Sequence, residues 1–219
     1  EEWGVEMRWI PDLVRSFPKP AIKVQAWAAS PAARDGGVVA LGLGGPEKED
    51  LAPEIREAFA RARAAGLPAN PHAGEGAGPA SVWSALRDLN AVRIGHGVRA
   101  IEDPALVAHL AEHQVPLEVC PTSNVLLQVF PSYEAHPLKR LAEAGCRVTV
   151  NSDDPALFGS DLCGEYRHAV DDCGLTLQEL EASVLTAVAG SHLPTAERET
   201  MLSRFRAEFA ALDAGEQTP

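Results

Sequence analysis

The sequence is poor in cysteine, in aromatic residues and in positive charge, and it contains no long apolar run. Four of the 219 residues are cysteines, at positions 120, 146, 163 and 173, and no two form a Cys-x-x-Cys pair. This spacing predicts neither a disulfide framework nor a structural zinc knuckle. The formal net charge of −12 disfavours nucleic-acid backbones and anionic membrane surfaces as partners. No apolar run approaches the roughly 18 residues of a membrane span.

The chain does have enough apolar material for a sizeable core. Hydrophobic residues make up 46% of the sequence, which fits one large domain rather than several small ones. The low cysteine content favours a reducing cytoplasm. We therefore expect a cytoplasmic protein whose partner is a small molecule, with no nucleic acid and no membrane, and a homodimer stays open.

Short apolar runs that end in polar or glycine-rich turns alternate with helical patterns. The predicted strands lie within VVALGLGG (38–45), GLPANPHAGEG (66–76), AVRIGHG (91–97), VPLEVCPTSN (115–124) and VTV (148–150), and residues 5–14 are weakly strand-like. Helices are predicted over 51–65, 79–88, 104–113, 136–144, 176–188 and from 194 onwards, with a loop at 31–35. Each unit of strand and helix spans about 25 to 30 residues, which is typical of a βα repeat and predicts an α/β fold with a parallel sheet.

The two helices near the C terminus have further signals of their own. Thr176 and Glu179 have the spacing of a capping box. In the last helix, Met201, Phe205 and Phe209 fall near one face together with a leucine at 202, and we expect this face to point toward the core.

Polar residues collect at the carboxyl ends of successive predicted strands. They are His72 with Glu75, then His96, then the segment 122–124, and finally the adjacent pair Asp153 and Asp154. An open doubly wound sheet and a (β/α)₈ barrel both satisfy the strand and helix pattern. Only a closed barrel brings these strand ends together at one mouth. In addition, no GxGxxG motif follows a predicted strand, so the sequence does not indicate a dinucleotide-binding fold. The pattern therefore favours the barrel.

A histidine and a carboxylate at strand ends, His72 and Asp153, are nitrogen and oxygen ligands suited to zinc or another divalent metal. Two ligands do not hold zinc, so His96 and Glu75 either complete the site or handle protons beside it. Three of the site residues also have structural alternatives. His96 could only satisfy a backbone carbonyl, Glu75 could bond local amides, and Asp154 could cap the turn that Pro155 begins.

Four strings, in their order and spacing, resemble the adenosine deaminase family of the amidohydrolase superfamily. They are NPHAGE (70–75), RIGHG (93–97), LEVCPTSN (117–124) and NSDDPALFG (151–159), and SHLP (191–194) is similar to the segment before the family's last helix. The resemblance implies a (β/α)₈ barrel of the metal-dependent hydrolase type. It also implies zinc-dependent hydrolytic deamination of a 6-aminopurine nucleoside, with release of ammonia and one Zn²⁺ per active site.

The resemblance also implies a role for each matching residue. His72 and Asp153 would be zinc ligands, and Glu75 would donate a proton to the purine N1. His96 would orient and deprotonate the attacking water. Asp154 would accept a hydrogen bond from the N7 region of the purine, and Gly45 would offer its backbone to N3. A proton donor at N1 has to be protonated when substrate binds, which requires surroundings that raise the pKa of Glu75.

The sequence departs from the family pattern in two places. No His-x-His pair occurs, although the family's first strand carries one that supplies two more zinc ligands. About six of eight strands are represented, beginning with what resembles the third. We therefore expect an N-terminally incomplete single barrel domain over 1–219, closed by helices in 160–219. The second departure is Gly42, which stands where the family has an acidic residue.

Three alternatives for the function stay open at this point. The substrate could instead be 6-aminodeoxyfutalosine of menaquinone synthesis, since HAGEGAGP and LEVCPTSNV are similar to that bacterial branch, or it could be adenine. From a different class, the chain could be a barrel that binds purines or a protein partner and lacks a complete metal site. An upstream His-x-His in the complete reading frame would favour the enzyme, and its absence would favour the binding protein.

Overall fold

The computed structural model describes residues 6–47 and 50–215 of the chain. By their contacts these residues form two compact units, residues 1–106 and residues 107–219. Each unit contains parallel strands and helices, as the α/β prediction requires. The prediction of one barrel domain over 1–219, closed by the helices of 160–219, stays a prediction.

The first unit is built on four short parallel strands, which pair in chain order. The strands are β1 (Asp12–Val14), β2 (Leu41–Gly44), β3 (Ala69–Ala73) and β4 (Ile94–His96). The register places Asp12 opposite Gly42 and His72 opposite Gly95. The helices of this unit are α1 (Ala21–Ala28), α2 (Pro31–Asp35), α3 (Pro53–Ala64) and α4 (Pro79–Asp88), and a 3₁₀ turn covers Val98–Glu102.

The core of the first unit forms where helix α3 packs on the strands. Ile55 and Phe59 project from the helix at helical spacing and are almost fully buried, and they belong to the same apolar cluster as Leu41 and Leu43 of β2. This burial removes large apolar side chains from water and holds the strand ends in place. The predicted surface helix at 51–65 is confirmed by this arrangement.

The loop predicted at 31–35 is wrong, because these residues form helix α2. The hydroxyl of Ser30 accepts a hydrogen bond from the backbone N–H of Ala33 at 3.3 Å, and Pro31 occupies the first helical position. A serine cap followed by proline is a favourable helix start.

The second unit contains two parallel strands, β5 (Leu117–Val119) and β6 (Val148–Val150), with Leu117 opposite Val148. Helix α5 (Pro104–His113) includes the boundary between the two units. The later helices are α6 (Pro121–Leu126), α7 (Leu138–Glu143), α8 (Pro155–Phe158), α9 (Leu162–Asp171), α10 (Leu177–Gly190) and α11 (Thr195–Asp213).

The last two helices give one confirmed prediction and one correction. The Thr176 side chain accepts from the backbone of Glu179 while the Glu179 carboxylate accepts from the backbone of Thr176, so the capping box is present. The inward face predicted for the last helix is wrong. No residue of α11 is buried and Met201 is 39% exposed, because α11 packs along α10, which leaves Phe205 and Phe209 only partly covered. Within 6–47 and 50–215, no helix is both long and apolar enough to cross a membrane.

Candidate active site

In the first unit, two histidines meet at the carboxyl ends of β3 and β4. His72 lies on β3 and His96 ends β4, and their ring centroids are 5.1 Å apart. The imidazole of His72 lies directly over Gly95, where an added Cβ would come 3.0 Å from its Cγ atom. Glycine at position 95 therefore lets the His72 ring lie against the backbone of β4.

The orientation of His72 fixes which of its nitrogens can bind a metal. Its Nδ1 lies 3.1 Å from the carbonyl oxygen of Leu43. A carbonyl only accepts hydrogen bonds, so Nδ1 carries the proton and the lone pair is on Nε2. Histidine ligands of metals are commonly held in this way. In addition, Arg15 Nη2 donates to the carbonyl oxygen of His72 at 2.8 Å, which ties β3 to the end of β1.

His96 and Glu75 face each other beside this ring. His96 is 2% exposed, and its Nε2 lies 3.6 Å from Glu75 Oε2. His96 also has a φ of +58°, in the left-handed region that non-glycine residues rarely adopt. Strained backbone of this kind clusters at functional sites. The first unit thus brings together three of the predicted site residues, His72, Glu75 and His96.

The turn after β3 contains a site residue that sequence reasoning missed. The carboxylate of Glu47 accepts hydrogen bonds from the backbone N–H groups of Gly74 at 2.8 Å, Glu75 at 3.0 Å and Gly76 at 3.1 Å, and from the Ser81 hydroxyl. Partial burial alone would raise the pKa of Glu47. The Ser81 and backbone hydrogen bonds, with the charge of Arg15, hold it below the ordinary 4.5.

Asp12 is a second residue that sequence reasoning missed, and it explains Gly42. A Cβ added at Gly42 would lie only 1.8 Å from Asp12 Oδ1, so the carboxyl group of Asp12 occupies the space of a side chain at position 42. Asp12 Oδ2 also lies 3.8 Å from His72 Nδ1. Partial burial raises the pKa of Asp12, and the His72 imidazole opposes this effect. An acid is therefore present beside His72, but it comes from β1 rather than from β2.

Gly45, the residue predicted to offer its backbone to a purine, directly follows β2. Its φ of +86° lies in the left-handed region, and a Cβ there would come 3.3 Å from Val14 Cγ1. The backbone conformation thus favours glycine, and a side chain here would crowd Val14.

In the second unit, the two predicted acids follow β6. Asp153 has a φ of +55°, the same left-handed conformation as His96. Asp154 precedes helix α8, but its side chain makes no capping hydrogen bond. The alternative that Asp154 serves as a helix cap is therefore wrong. The chain before this pair is held by Asn151, whose Nδ2 donates to Thr149 Oγ1 at 2.8 Å and to the Val119 carbonyl at 3.3 Å.

The polar segment 122–124 has a structural role in the second unit. It lies in helix α6 and is buried. The backbone N–H of Thr122 donates to Glu165 Oε2 at 3.1 Å, and Asn124 Oδ1 lies 3.2 Å from His136 Nε2. Helix α6 is thereby fastened to α9 and to the segment before α7.

Comparison with known proteins gives a consistent result. Residues 1–208 match the family model described as adenosine deaminase. The chain is 45% identical over 208 residues to an aminodeoxyfutalosine deaminase of Streptomyces avermitilis, covering 91% of this chain and 58% of that protein. It is 42% identical over 204 residues to an adenine deaminase of Chelativorans sp. strain BNC1, covering 93% and 62%. The chain thus spans about three fifths of the length of these relatives.

A solved structure extends the comparison to the fold. A zinc-bound amidohydrolase from Burkholderia ambifaria matches with a TM-score of 0.89 and 27% identity, covering 98% of this chain and 60% of that one. The predicted fold class, an α/β chain with six of the strands of a (β/α)₈ barrel, is confirmed.

Proposed function

The chain belongs to the adenosine deaminase family, and on that premise we propose that the protein hydrolytically deaminates a 6-aminopurine nucleoside and releases ammonia. The observation that carries the proposal is the group formed by His72, Glu75 and His96 at the carboxyl ends of β3 and β4. A fixed imidazole ligand, a second buried imidazole and a carboxyl group are the parts that metal-assisted hydrolysis requires.

One zinc ion per active site would be held by His72 through Nε2 and by Asp153 through its carboxylate. The donor set of nitrogen and oxygen suits zinc, and the Nδ1 hydrogen bond of His72 to Leu43 leaves the correct nitrogen for the ion. The zinc in the relative from Burkholderia ambifaria supports zinc as the ion. When bound, the ion supplies Lewis-acid activation of the attacking water.

The chain's own groups would move the protons. Glu75 donates a proton to the purine N1, which makes the neighbouring C6 more electrophilic, and His96 accepts a proton from water as its oxygen adds to C6. The amino nitrogen then takes the proton held by His96, the bond from C6 to this nitrogen breaks and ammonia leaves, and the hydroxyl proton at C6 returns to the Glu75 carboxylate as the carbonyl forms. Because Glu75 Oε2 and His96 Nε2 are only 3.6 Å apart, both groups can reach one ring edge.

Two further residues would hold the purine ring. The backbone of Gly45 faces N3, and its left-handed conformation at the end of β2 sets the direction of that backbone. Asp154 accepts a hydrogen bond from the N7 region. The missing cap bond from its side chain to α8 agrees with a role toward substrate.

Aminodeoxyfutalosine is the second candidate substrate. The observation that favours it is the 45% identity to the aminodeoxyfutalosine deaminase of Streptomyces avermitilis, compared with 39% to an adenosine deaminase of Klebsiella pneumoniae. Both adenosine and aminodeoxyfutalosine present the same 6-amino group, so one mechanism serves either compound.

Steady-state ammonia release from adenosine, aminodeoxyfutalosine and adenine tests the proposal, using protein produced from its complete reading frame and loaded with zinc. We expect the highest kcat/KM for one of the two nucleosides. A clear preference for adenine would contradict the nucleoside assignment. Absence of ammonia from all three compounds, with folded and zinc-loaded protein, would contradict the deaminase assignment.

A further inference from the structure

Three successive backbone amides in the turn after β3 point at one carboxylate. Gly74, Glu75 and Gly76 all donate to Glu47, which lies 27 to 29 positions earlier in the chain. The Ser81 hydroxyl at the start of α4 also donates to it. A carboxylate has about four acceptor positions, so these four donors match its capacity.

The shape of this turn depends on a glycine at position 74. Gly74 has a φ of +74°, and a Cβ at this position would lie 2.4 Å from Val82 Cγ2. The conformation directs consecutive N–H groups to the same side, and such an arrangement binds an anion. Glu47 supplies that anion from within the chain, and its lowered pKa keeps it ionised at neutral pH.

Arg15 connects the same carboxylate to the strand that carries His72. Its charge contributes to the lowered pKa of Glu47, while its Nη2 donates to the carbonyl oxygen of His72 at 2.8 Å. Arg15 therefore helps to hold β3, Glu47 helps to hold the turn that follows β3, and these two charged side chains interact with each other. Glu75 is the middle residue of this turn, and its carboxyl group faces His96.

We propose that Glu47 is a positioning residue for Glu75. Its carboxylate accepts hydrogen bonds from the three backbone N–H groups of residues 74–76 and thereby fixes the position of the Glu75 backbone, from which the side chain extends. The inference rests on the proposed function, in which Glu75 donates a proton to the substrate. A displacement of about 1 Å in such a group costs up to about 100-fold in rate. Glu47 itself need not touch substrate.

The test uses Glu47→Gln and Glu47→Asp in protein from the complete reading frame. Glutamine replaces one acceptor oxygen with an NH₂ donor, which faces an N–H group, and aspartate is shorter by one methylene. Glu57→Gln is the matched control, since Glu57 lies on the exposed face of α3 and pairs with Arg61. Hydrogen exchange of the amides of 74–76 is measured alongside kcat and KM for the best aminopurine substrate.

For Glu47→Gln we expect exchange at 74–76 to become roughly 10- to 100-fold faster, as for loss of a charge-assisted hydrogen bond, while exchange in α3 stays unchanged. We expect kcat to fall by about 10- to 100-fold with KM little changed. The kcat of Glu47→Asp should lie between that of wild type and that of Glu47→Gln. Glu57→Gln should match wild type in both measurements.

Unchanged exchange at 74–76 in a folded Glu47 variant would overturn the inference, as would faster exchange with wild-type kcat. A fall in apparent kcat that disappears when activity is divided by the folded fraction of the variant would also overturn it, since that result indicates only a stability role. An inactive wild-type protein would instead refute the proposed function. If instead wild type is active and Glu47→Gln is equally active, only the inference about Glu47 is refuted and the proposed function stands.

Discussion

Replacement of Gly42 by alanine tests whether the carboxyl group of Asp12 occupies the space that a side chain at position 42 would fill. The added Cβ would lie 1.8 Å from Asp12 Oδ1, 3.1 Å from Asp12 Cγ and 3.3 Å from Ile10 Cγ2. Non-bonded heavy atoms prefer separations of about 3.5 Å, so the carboxyl group must move by roughly 1.7 Å. We expect overpacking to destabilise the fold by about 1–3 kcal/mol.

The same substitution should behave differently when Asp12 is already alanine. The carboxyl group is then absent, and of the three nearest contacts that with Ile10 Cγ2 remains. Alanine in a strand interior is favoured over glycine by about 0.5–1 kcal/mol, so Gly42→Ala should be close to neutral in the Asp12→Ala background. The double-mutant cycle should therefore yield a coupling free energy of about 1–3 kcal/mol between positions 12 and 42.

Urea unfolding followed by circular dichroism provides the four free energies of unfolding. Gly164→Ala serves as a control, because its Cβ would meet Asp161 Oδ1 at an ordinary 3.5 Å in helix α9. That substitution should stabilise both backgrounds by a similar amount, up to about 1 kcal/mol. An equal cost of Gly42→Ala with and without Asp12 would refute the idea that the Asp12 carboxyl group fills this space.

Three further predictions concern catalysis, helix stability and a buried thiol. Glu75→Gln should keep zinc and ligand binding but lower kcat by orders of magnitude, since the amide cannot supply the proton, as measured by ammonia release. Thr176→Ala should lower the free energy of unfolding by about 1 kcal/mol through loss of the capping box, as measured by urea unfolding. Burial and nearby carboxylates raise the pKa of Cys173 to about 12 from the ordinary 9.0. As the pH rises above 9 the unfolded chain therefore loses this proton first, and stability should fall more steeply in wild type than in Cys173→Ala. In the native protein, alkylation should modify the exposed Cys163 before Cys173, as measured by mass spectrometry.

Each of these predictions has an outcome that would contradict it. Near-normal turnover in Glu75→Gln would remove Glu75 from the mechanism. Thr200→Ala, on the exposed surface of α11, is the control for the cap and should change stability little, so an equal effect of both threonine variants would argue against the capping box. Parallel curves of stability against pH for wild type and Cys173→Ala would contradict the raised thiol pKa.

The sequence predicted those parts of the fold that depend on local patterns. Alternating apolar runs and helical periodicity located the strands that carry His72 and His96, because each histidine lies at the carboxyl end of a short apolar run that a glycine ends. The capping box was readable because Thr176 and Glu179 are only three residues apart. Helix α2 was not predicted, although Ser30 followed by Pro31 is a recognisable start signal.

Residues whose role depends on distant contacts could not be predicted. Glu47 lies 27 positions before Gly74, the first residue of the turn at 74–76, and nothing in its own surroundings in the sequence indicates that partner. Asp12 fills the space over Gly42 only because the register of two parallel strands places the residues side by side. The departure at Gly42 was visible in the sequence, but the acid that takes its place required the structure.

Zinc-dependent ammonia release is the measurement that tests the central claim most directly. Protein from the complete reading frame is stripped with a chelator, reloaded with zinc, and assayed with the best aminopurine substrate at each stage, in parallel with His72→Ala. We predict that ammonia release disappears on chelation, returns with zinc, and does not return in the His72 variant. Deamination that persists without metal, or that zinc restores equally in His72→Ala, would contradict the account.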